Sequence, residues 1–243
     1  MPVHNWKNID DGIFHDFHCT WITAIKTVLN GGLLPSSYYA LAEQRAGEIL
    51  PDVLALQIDT DDSGVSEGGT AVLAPPQTAI KSTFKVLAYV NRQNSIMIRH
   101  ASNDRIAAVF EIVSRGNKIG RQNFKTFLNK ARSCLDRRIH FSFVDVHAPG
   151  MLDPYGIHGA ICLQRGEDPP ELPAGKILSD GGYEAGELIT GFINPFGVGE
   201  TIPPAPLFLK QDFYVMLPLE ETYSNAYASL PRHLREKIER NSN

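Results

Sequence analysis

The spacing of apolar and polar residues between Ile106 and His147 predicts a strand, a turn, a helix and a second strand. Ile106–Val113 is a short apolar run of the kind found in strands that are buried on both faces. Two glycines and an Asn in Ser114–Gly120 predict a turn. Arg121–Asp136 predicts a helix, because its apolar residues recur at helical spacing. These residues are Phe124, Phe127, Leu128, Ala131 and Leu135. The β-branched and aromatic residues of His140–Val146 predict the second strand.

Glu111 interrupts the apolar pattern of the first strand. An unpaired carboxylate in a buried strand is strongly unfavourable, because the charge loses its hydration and gains nothing in return. We therefore expect a cation beside Glu111. It could be a metal ion, or it could be the side chain of Lys130 or Arg115 in a buried structural ion pair.

The residues before this unit predict one helix and several strands. A helix is predicted over Ile13–Asn30, with Asp10 or Asp11 as its N-cap. Tyr38–Ala46 is compatible with a strand or a short helix, and Asp52–Ile58 predicts another buried strand.

Three antiparallel strands are predicted over Phe84–Val113, with a hairpin turn at residues 91–94. Ile157–Gln164 predicts one more strand, and the Pro- and Gly-rich Glu167–Gly182 predicts an irregular segment. The remaining predicted elements are extended over Tyr183–Phe192 and Pro206–Leu217 and helical over Thr222–Leu230 and Pro231–Arg240. Together the elements predict an α/β protein whose mixed central sheet is flanked by the Ile13–Asn30 and Arg121–Asp136 helices.

Composition narrows the class of protein. The chain has 243 residues and a net charge of −4, so no overall field attracts nucleic acid. No apolar stretch is long enough to span a membrane, and the N-terminus has no signal-peptide pattern. Three cysteines without metal-site spacing favour a cytoplasmic protein.

The charge is unevenly distributed along the chain, because residues 115–140 carry eight basic residues and one acid, Asp136. The basic residues are Arg115, Lys118, Arg121, Lys125, Lys130, Arg132, Arg137 and Arg138.

Asp52, Glu111 and Lys130 form a pattern that can support metal-dependent chemistry. Asp52 opens one predicted strand, Glu111 lies inside another, and Lys130 lies on the following helix at the border of its buried stripe. Carboxylate oxygens suit Mg²⁺ or Mn²⁺, and a nearby lysine can stabilise developing negative charge. Each residue also has a simpler interpretation: Asp52 could cap a turn, and Lys130 could be a solvated residue at the helix flank.

Several segments resemble the PD-(D/E)XK nuclease-like superfamily. They are PDVLAL (Pro51–Leu56), FEIVS (Phe110–Ser114), FLNK (Phe127–Lys130) and FSFVDV (Phe141–Val146). The resemblance is to its uncharacterised bacterial branches, including a domain of unknown function that has EI-S-GNK after the acid. It covers Gly12–Gln164 and, more weakly, the segments PLFLKQDFYVMLPL and TYSNAYASL.

The resemblance implies a restriction-endonuclease-like fold with an Mg²⁺ (or Mn²⁺) site. Asp52 matches the Asp of the PD pair, and Glu111 matches the second acid, so these two residues are the implied metal ligands. The family's lysine two residues after that acid is replaced by Val113. Lys130 matches the lysine that some branches place on the next helix. Asp52, Glu111 and Lys130 are thus the implied catalytic residues.

The same resemblance implies two additional site residues, and the local positive charge suggests candidate contacts for nucleic acid. Glu43 matches an acid on the first strand, and His18 matches a helix His found in one branch. Basic residues after the Glu111 strand are candidates for phosphate contacts, although Ser114–Arg121 could also be a solvated turn. The candidates are Arg115, Lys118, Arg121 and Lys125.

The resulting expectation is a core domain over residues 1–165 with a C-terminal extension, residues 166–243, packed on it. The expected function is Mg²⁺-dependent hydrolysis of phosphodiester bonds in DNA or RNA. The alternative is a catalytically inactive binding or assembly module on the same fold. Neither expectation includes a membrane, and both allow a homodimer. If the metal site exists, Asp52 and Glu111 must approach each other at one end of the sheet, since neighbouring strands lie about 5 Å apart.

Overall fold

A computed structural model of the chain describes residues 2–43, 78–85 and 95–242. Within these ranges, no helix has both the length and the apolar character needed to cross a membrane.

Seven of the nine described strands form one mixed sheet. In chain order the nine are β1 (Tyr38–Glu43), β2 (Ile80–Lys85), β3 (Ser95–His100), β4 (Ile106–Val113), β5 (His140–Asp145), β6 (Leu178–Ala185), β7 (Leu188–Phe196), β8 (Ala205–Lys210) and β9 (Phe213–Leu217). The order across the sheet is β1-β3-β4-β5-β6-β7-β2, and β8 and β9 form a separate antiparallel pair. In the large sheet β4 and β5 pair in parallel, and the other described pairs are antiparallel.

The parallel pair confirms the predicted strand–helix–strand unit. Parallel neighbours need a crossover connection, and it is supplied by α2 (Arg115–Lys118) and α3 (Arg121–Asp136). The predicted turn after β4 contains the single helical turn of α2. Ser114 and Asn117 cap it reciprocally: the Ser114 side chain accepts from the Asn117 N–H, and the Asn117 side chain accepts from the Ser114 N–H.

One face of the sheet packs against α1 (Asp11–Val28). The Asp10 side chain caps this helix by accepting the Gly12 N–H. The buried residues of α1 lie at helical spacing and are Phe14, Phe17, Trp21 and Ile25. A π-helical turn over Leu29–Leu33 ends the helix, and Gly32 has a φ of 116°, which favours glycine. α1 packs on α5 (Leu219–Ala228), and β8 packs across β4, β5 and β6. α6 (Arg232–Ser242) follows α5.

The opposite face of the sheet packs against α3 and α4 (Gly156–Gln164). Alternation along β4 divides its side chains between the two cores. Ala108, Phe110 and Ile112 belong to the core under α1, whereas Val109 and Val113 belong to the core under α3. Glu111 lies between these two valines, so its side chain enters the core under α3.

Some predicted elements differ from the structure. Ile157–Gln164, predicted as a strand, lies in the helix α4, because a short run that is apolar on all sides fits a buried helix as well as a buried strand. The first strand of the predicted meander began at Phe84, and its residues 86–90 lie outside the described residues. Phe84 itself lies in β2, which pairs with β7 at the far edge of the sheet, and the neighbours of β3 are β1 and β4. β6 begins at Leu178, inside the segment predicted to be irregular. The predicted strand Asp52–Ile58 lies outside the described residues.

The C-terminal third of the chain contributes to the central sheet as well as packing on it. β6 and β7 both follow residue 165, and they lie between β5 and β2. β8, β9, α5 and α6 cover the α1 face of that sheet. The region expected to be an extension therefore supplies two inner strands of the main sheet.

Candidate metal centre around Glu111 and Lys130

Glu111 and Lys130 form an ion pair inside the core between β4 and α3. The Lys130 Nζ contacts Glu111 Oε1, and the side chains are 0% and 3% exposed respectively. Lys130 reaches this position because it lies beside Phe127 and Ala131 on the buried stripe of α3. It is therefore not a solvated flank residue. Of the two basic side chains predicted as partners of Glu111, Lys130 is the one that the structure shows.

The surroundings of the pair are apolar and closely packed. Phe143 is the register partner of Glu111 on β5, and Phe127 lies fully buried on α3. Cys134 lies one turn after Lys130 and is influenced by both charges. Burial raises the pKa of the Cys134 thiol to about 12, although the ammonium of Lys130 acts to lower it. The thiol is therefore neutral, and the pair is in a region of low polarity.

Asp52 lies outside the described residues, so its predicted approach to Glu111 stays a prediction. Glu43 ends β1, where its backbone pairs with Ser95 of β3. Ser95 precedes Ile96, which pairs with Phe110. The backbone of Glu43 is therefore two strands away from Glu111, or about 10 Å at the usual strand spacing.

His18 is separated from the ion pair by the sheet. Its Nε2 lies 3.2 Å from the carbonyl oxygen of Ile112, and the contact ties α1 to β4. Burial lowers the pKa of His18. Because α1 and α3 cover opposite faces, the structure does not bring the His18 ring to the Glu111 carboxylate.

The donor set for a metal is incomplete within residues 2–43, 78–85 and 95–242. In these ranges no group of three or more His, Cys, Asp or Glu side chains is arranged to hold a metal ion. Glu111 supplies one carboxylate of the type that Mg²⁺ and Mn²⁺ prefer. A site there would need Asp52 as its second acid.

The four candidate phosphate contacts lie in different environments. Arg121 and Lys125 are exposed on the outer face of α3. The Arg115 side chain is 47% exposed and lies 3.4 Å from Asp11. Lys118 instead points inward, and its side chain is 8% exposed.

Lys118 is the centre of a second buried charge cluster, which the sequence did not predict. Its Nζ lies 2.8 Å from Asp145 Oδ2 and 2.7 Å from Asp153 Oδ2. It also donates to the carbonyl oxygens of His147 at 2.8 Å and Ala148 at 3.2 Å. We call Lys118, Asp145 and Asp153 the Lys118 cluster. It joins the ends of the two parallel strands, because α2 follows β4 and Asp145 ends β5.

The pKa shifts in the Lys118 cluster show a balance between burial and attraction. Burial raises the pKa of Asp145 and of Asp153, while the ammonium opposes that rise. Burial acts to lower the pKa of Lys118, but the two carboxylates outweigh it and the pKa rises. One ammonium thus stabilises two buried acids.

Comparisons with known proteins identify no relative: no family model, curated protein or solved structure matches the chain.

Proposed function

We propose that the chain is a Mg²⁺-dependent phosphodiesterase acting on nucleic acid, with Asp52, Glu111 and Lys130 at its centre. The observation that carries the proposal is the contact between Lys130 and Glu111. The resemblance implies a lysine placed on the helix after the acid-bearing strand, and the side chain from that helix does reach the acid. In such a pair the carboxylate can bind a metal, and the ammonium can stabilise charge on a phosphoryl group.

The energetic cost of the pair also supports a functional role. A buried ion pair loses so much hydration that apolar residues of similar volume are often equally stabilising. Val109 and Val113 fill the neighbouring positions on the same face of β4. An apolar residue at position 111 would continue that pattern without the cost of dehydrating two charges.

The roles of the residues follow from their chemistry. Asp52 and Glu111 would hold the metal, which polarises a phosphoryl oxygen and lowers the pKa of a bound water. Lys130 would lie beside the phosphoryl group and stabilise the negative charge that develops in the transition state. Glu111 holds the ammonium of Lys130 in place, so that little reorganisation accompanies the reaction.

A restriction-endonuclease-like fold is part of the same proposal. Its support is the antiparallel pair β3–β4, the parallel pair β4–β5 across α3, and the helix α1 on the opposite face. Fold alone does not fix function, so the acid and lysine positions remain the main argument.

Arg115, Arg121 and Lys125 are the proposed contacts for the nucleic-acid backbone. They are exposed on α2 and α3, which connect the strand bearing Glu111 to β5. Lys118 is less suited to this role, because it already binds two carboxylates.

A catalytically inactive module on the same fold is the second candidate. Its support is the enclosure of the pair: the side chains of Lys130 and Glu111 are 0% and 3% exposed. A metal and a phosphodiester must both reach a catalytic carboxylate, whereas a structural ion pair needs no access. On this interpretation Glu111 and Lys130 connect β4 to α3, and the exposed basic residues bind a partner.

Metal-dependent cleavage tests the leading proposal. With Mg²⁺ or Mn²⁺, the wild type should cleave a mixed DNA and RNA substrate, and Asp52→Asn should slow cleavage by ~100-fold or more, the scale for losing a major electrostatic contribution. Asp168→Asn, at an exposed position, is the matched control and should cleave like the wild type. Absence of cleavage by the folded wild type with either metal would contradict the enzyme and favour the module.

The salt dependence of binding tests the nucleic-acid interface. Each phosphate neutralised by a basic side chain releases counterions, so affinity falls with salt. Arg121→Gln/Lys125→Gln should weaken binding and flatten the plot of log affinity against log salt. Lys237→Gln/Arg240→Gln removes the same charge from exposed positions on α6 and should leave the slope unchanged. Fluorescence anisotropy with labelled DNA and RNA measures the affinity at each salt concentration. Equal slopes for the two double variants would place the interface elsewhere.

A further inference from the structure

Ser82, His158 and Tyr183 form a chain of polar side chains at the far edge of the sheet. The Ser82 Oγ lies 3.1 Å from His158 Nε2. The other ring nitrogen, His158 Nδ1, lies 2.6 Å from the Tyr183 hydroxyl oxygen. His158 is 1% exposed and Tyr183 is 0% exposed, whereas Ser82 is only partly buried. The hydroxyl of a partly buried serine is therefore hydrogen-bonded to a buried imidazole.

The backbone around these three side chains makes room for the His158 imidazole. Ser82 lies on β2 opposite Gly191 of β7. A Cβ atom at Gly191 would lie 2.8 Å from the Tyr183 ring and 3.5 Å from His158 Cε1. The glycine thus leaves room for the Tyr183 ring, which is tilted by 39° against the His158 ring and has its hydroxyl at the second ring nitrogen. It also leaves no side chain beside Ser82 at that position of the neighbouring strand.

We infer that Ser82 is a nucleophile for acyl transfer, with His158 as its general base and Tyr183 as the positioning residue. A nucleophile within hydrogen-bond reach of a base, whose other nitrogen is held by a third group, is the arrangement that activates serine. The inference places the proton of the neutral imidazole on Nδ1, where Tyr183 Oη accepts it. The Nε2 lone pair then faces the Ser82 hydroxyl. Burial lowers the pKa of His158 to about 4, so the ring is neutral at pH 7 and is a weaker base than a solvated imidazole.

The substrate class that this inference implies is an activated carboxylic ester. Ser82 Oγ forms a bond to the acyl carbon, its proton passes to His158 Nε2, and the bond to the leaving alcohol breaks. His158 then returns the proton to the leaving oxygen. The Nε2 atom then takes a proton from water, whose oxygen forms a bond to the acyl carbon. The bond to Ser82 Oγ breaks as His158 Nε2 gives that proton to Oγ, which releases the carboxylic acid and restores the Ser82 hydroxyl. No oxidant or further reactant is needed.

Cys162 is the competing nucleophile in this cluster. Its Sγ lies 3.7 Å from His158 Nε2. Burial raises the pKa of the Cys162 thiol to about 12, so it remains a thiol at neutral pH. The thiolate is the reactive form of cysteine, and the partly exposed Ser82 is therefore the reactive member. The cluster shares no residue with the Glu111 centre, so it stands or falls separately.

A fluorophosphonate probe tests the inference in the wild-type protein. Ser82 Oγ would attack the phosphorus atom and displace fluoride, and mass spectrometry of the digested protein would locate the adduct. Thr83 provides an internal control, because it is the next residue and its hydroxyl bonds to the Thr190 hydroxyl at 3.2 Å instead of to an imidazole. General-base assistance is worth 10²–10⁴-fold, so labelling of Ser82 should exceed that of Thr83 by ~100-fold or more.

Two variants separate a base from a structural hydrogen bond. His158→Gln keeps a polar side chain of similar length but removes the base, and Ser82 labelling should fall to the rate at Thr83. Tyr183→Phe keeps the ring, and labelling should fall while circular dichroism remains that of the wild type. Equal labelling of Ser82 and Thr83 in the folded wild type, or an adduct on Cys162, would overturn the inference.

Discussion

Lys130→Met should lower the free energy of unfolding by about 3–5 kcal/mol, the usual cost of removing one partner from a buried ion pair. The reason is the position of Glu111. Its side chain is 3% exposed in an apolar core, so removing the ammonium leaves a carboxylate that has lost its hydration and its ion-pair partner Lys130. Glu111→Leu should cost a similar amount, since it leaves an ammonium buried in the same place.

The double variant Glu111→Leu/Lys130→Met should recover most of this loss. Two apolar side chains of similar volume replace the pair, and no charge is left without a partner. Such replacements are often neutral or stabilising. The expected result is a double-mutant cycle in which the two single losses do not add.

Urea unfolding followed by far-ultraviolet circular dichroism measures each free energy. Lys125→Met is the matched control, because Lys125 lies on the exposed face of the same helix. It should change stability by no more than about 0.5 kcal/mol. Additive losses in the double variant would contradict the cycle, because they would mean that each residue stabilises the fold separately.

The same double variant separates architecture from catalysis. If Glu111 and Lys130 are architectural, the stable double variant keeps every activity of the wild type. If they are catalytic, it folds as well as the wild type but no longer cleaves nucleic acid. Lys130→Met alone cannot make this distinction, because the burial of Lys130 makes the single variant unstable under both hypotheses.

The β4–α3–β5 unit could be predicted because its determinants are local. Helical spacing identifies α3, the two apolar runs identify β4 and β5, and a short connection through one helix favours parallel pairing. The contact between Glu111 and Lys130 was one of the alternatives left open by the sequence, beside a metal ion, Arg115 as the partner and a solvated Lys130. Lys130 lies at the border of the buried stripe, and Glu111 is the acid that needs a cation.

Other features could not be predicted because their determinants lie far apart in the chain. β2 pairs with β7, more than 100 residues later, and no local pattern in either segment identifies its neighbour. α4 was predicted as a strand because an apolar run of that length lacks a periodicity that separates the two structures. The position of Asp52 is outside the described residues, so the metal centre stays a prediction.

Lys118 shows why charge counting in a sequence misleads. It belongs to a run of basic residues, and that run suggested phosphate contacts. The structure turns its side chain toward Asp145 and Asp153. Asp145, the acid that ends β5, was visible in the sequence as a possible partner for Lys118. The direction of the Lys118 side chain also depends on the loop after β5, because that loop brings Asp153 back to α2.

Lys118→Met should destabilise the fold by about 3–5 kcal/mol at pH 7, the scale for a buried charge left without its partner. Here two carboxylates, 2.8 and 2.7 Å from the missing ammonium, would face each other at low exposure. The loop after β5 would also lose the two hydrogen bonds to the carbonyls of His147 and Ala148.

The pH dependence of that loss has a definite sign. Without the ammonium, the pKa of Asp145 and of Asp153 should rise further above 3.8 in the folded state, because burial remains and the attraction is gone. A carboxyl group whose pKa is higher in the folded state than in the unfolded state takes up a proton on folding, so stability increases as the pH falls through the folded pKa. The difference between Lys118→Met and the wild type should therefore shrink from pH 7 toward pH 5. Parallel urea titrations at these two pH values, with Lys125→Met as the control, measure it. If Lys118→Met loses the same free energy of unfolding at both pH values, packing of the lysine side chain, not its charge, holds the ends of β4 and β5 together.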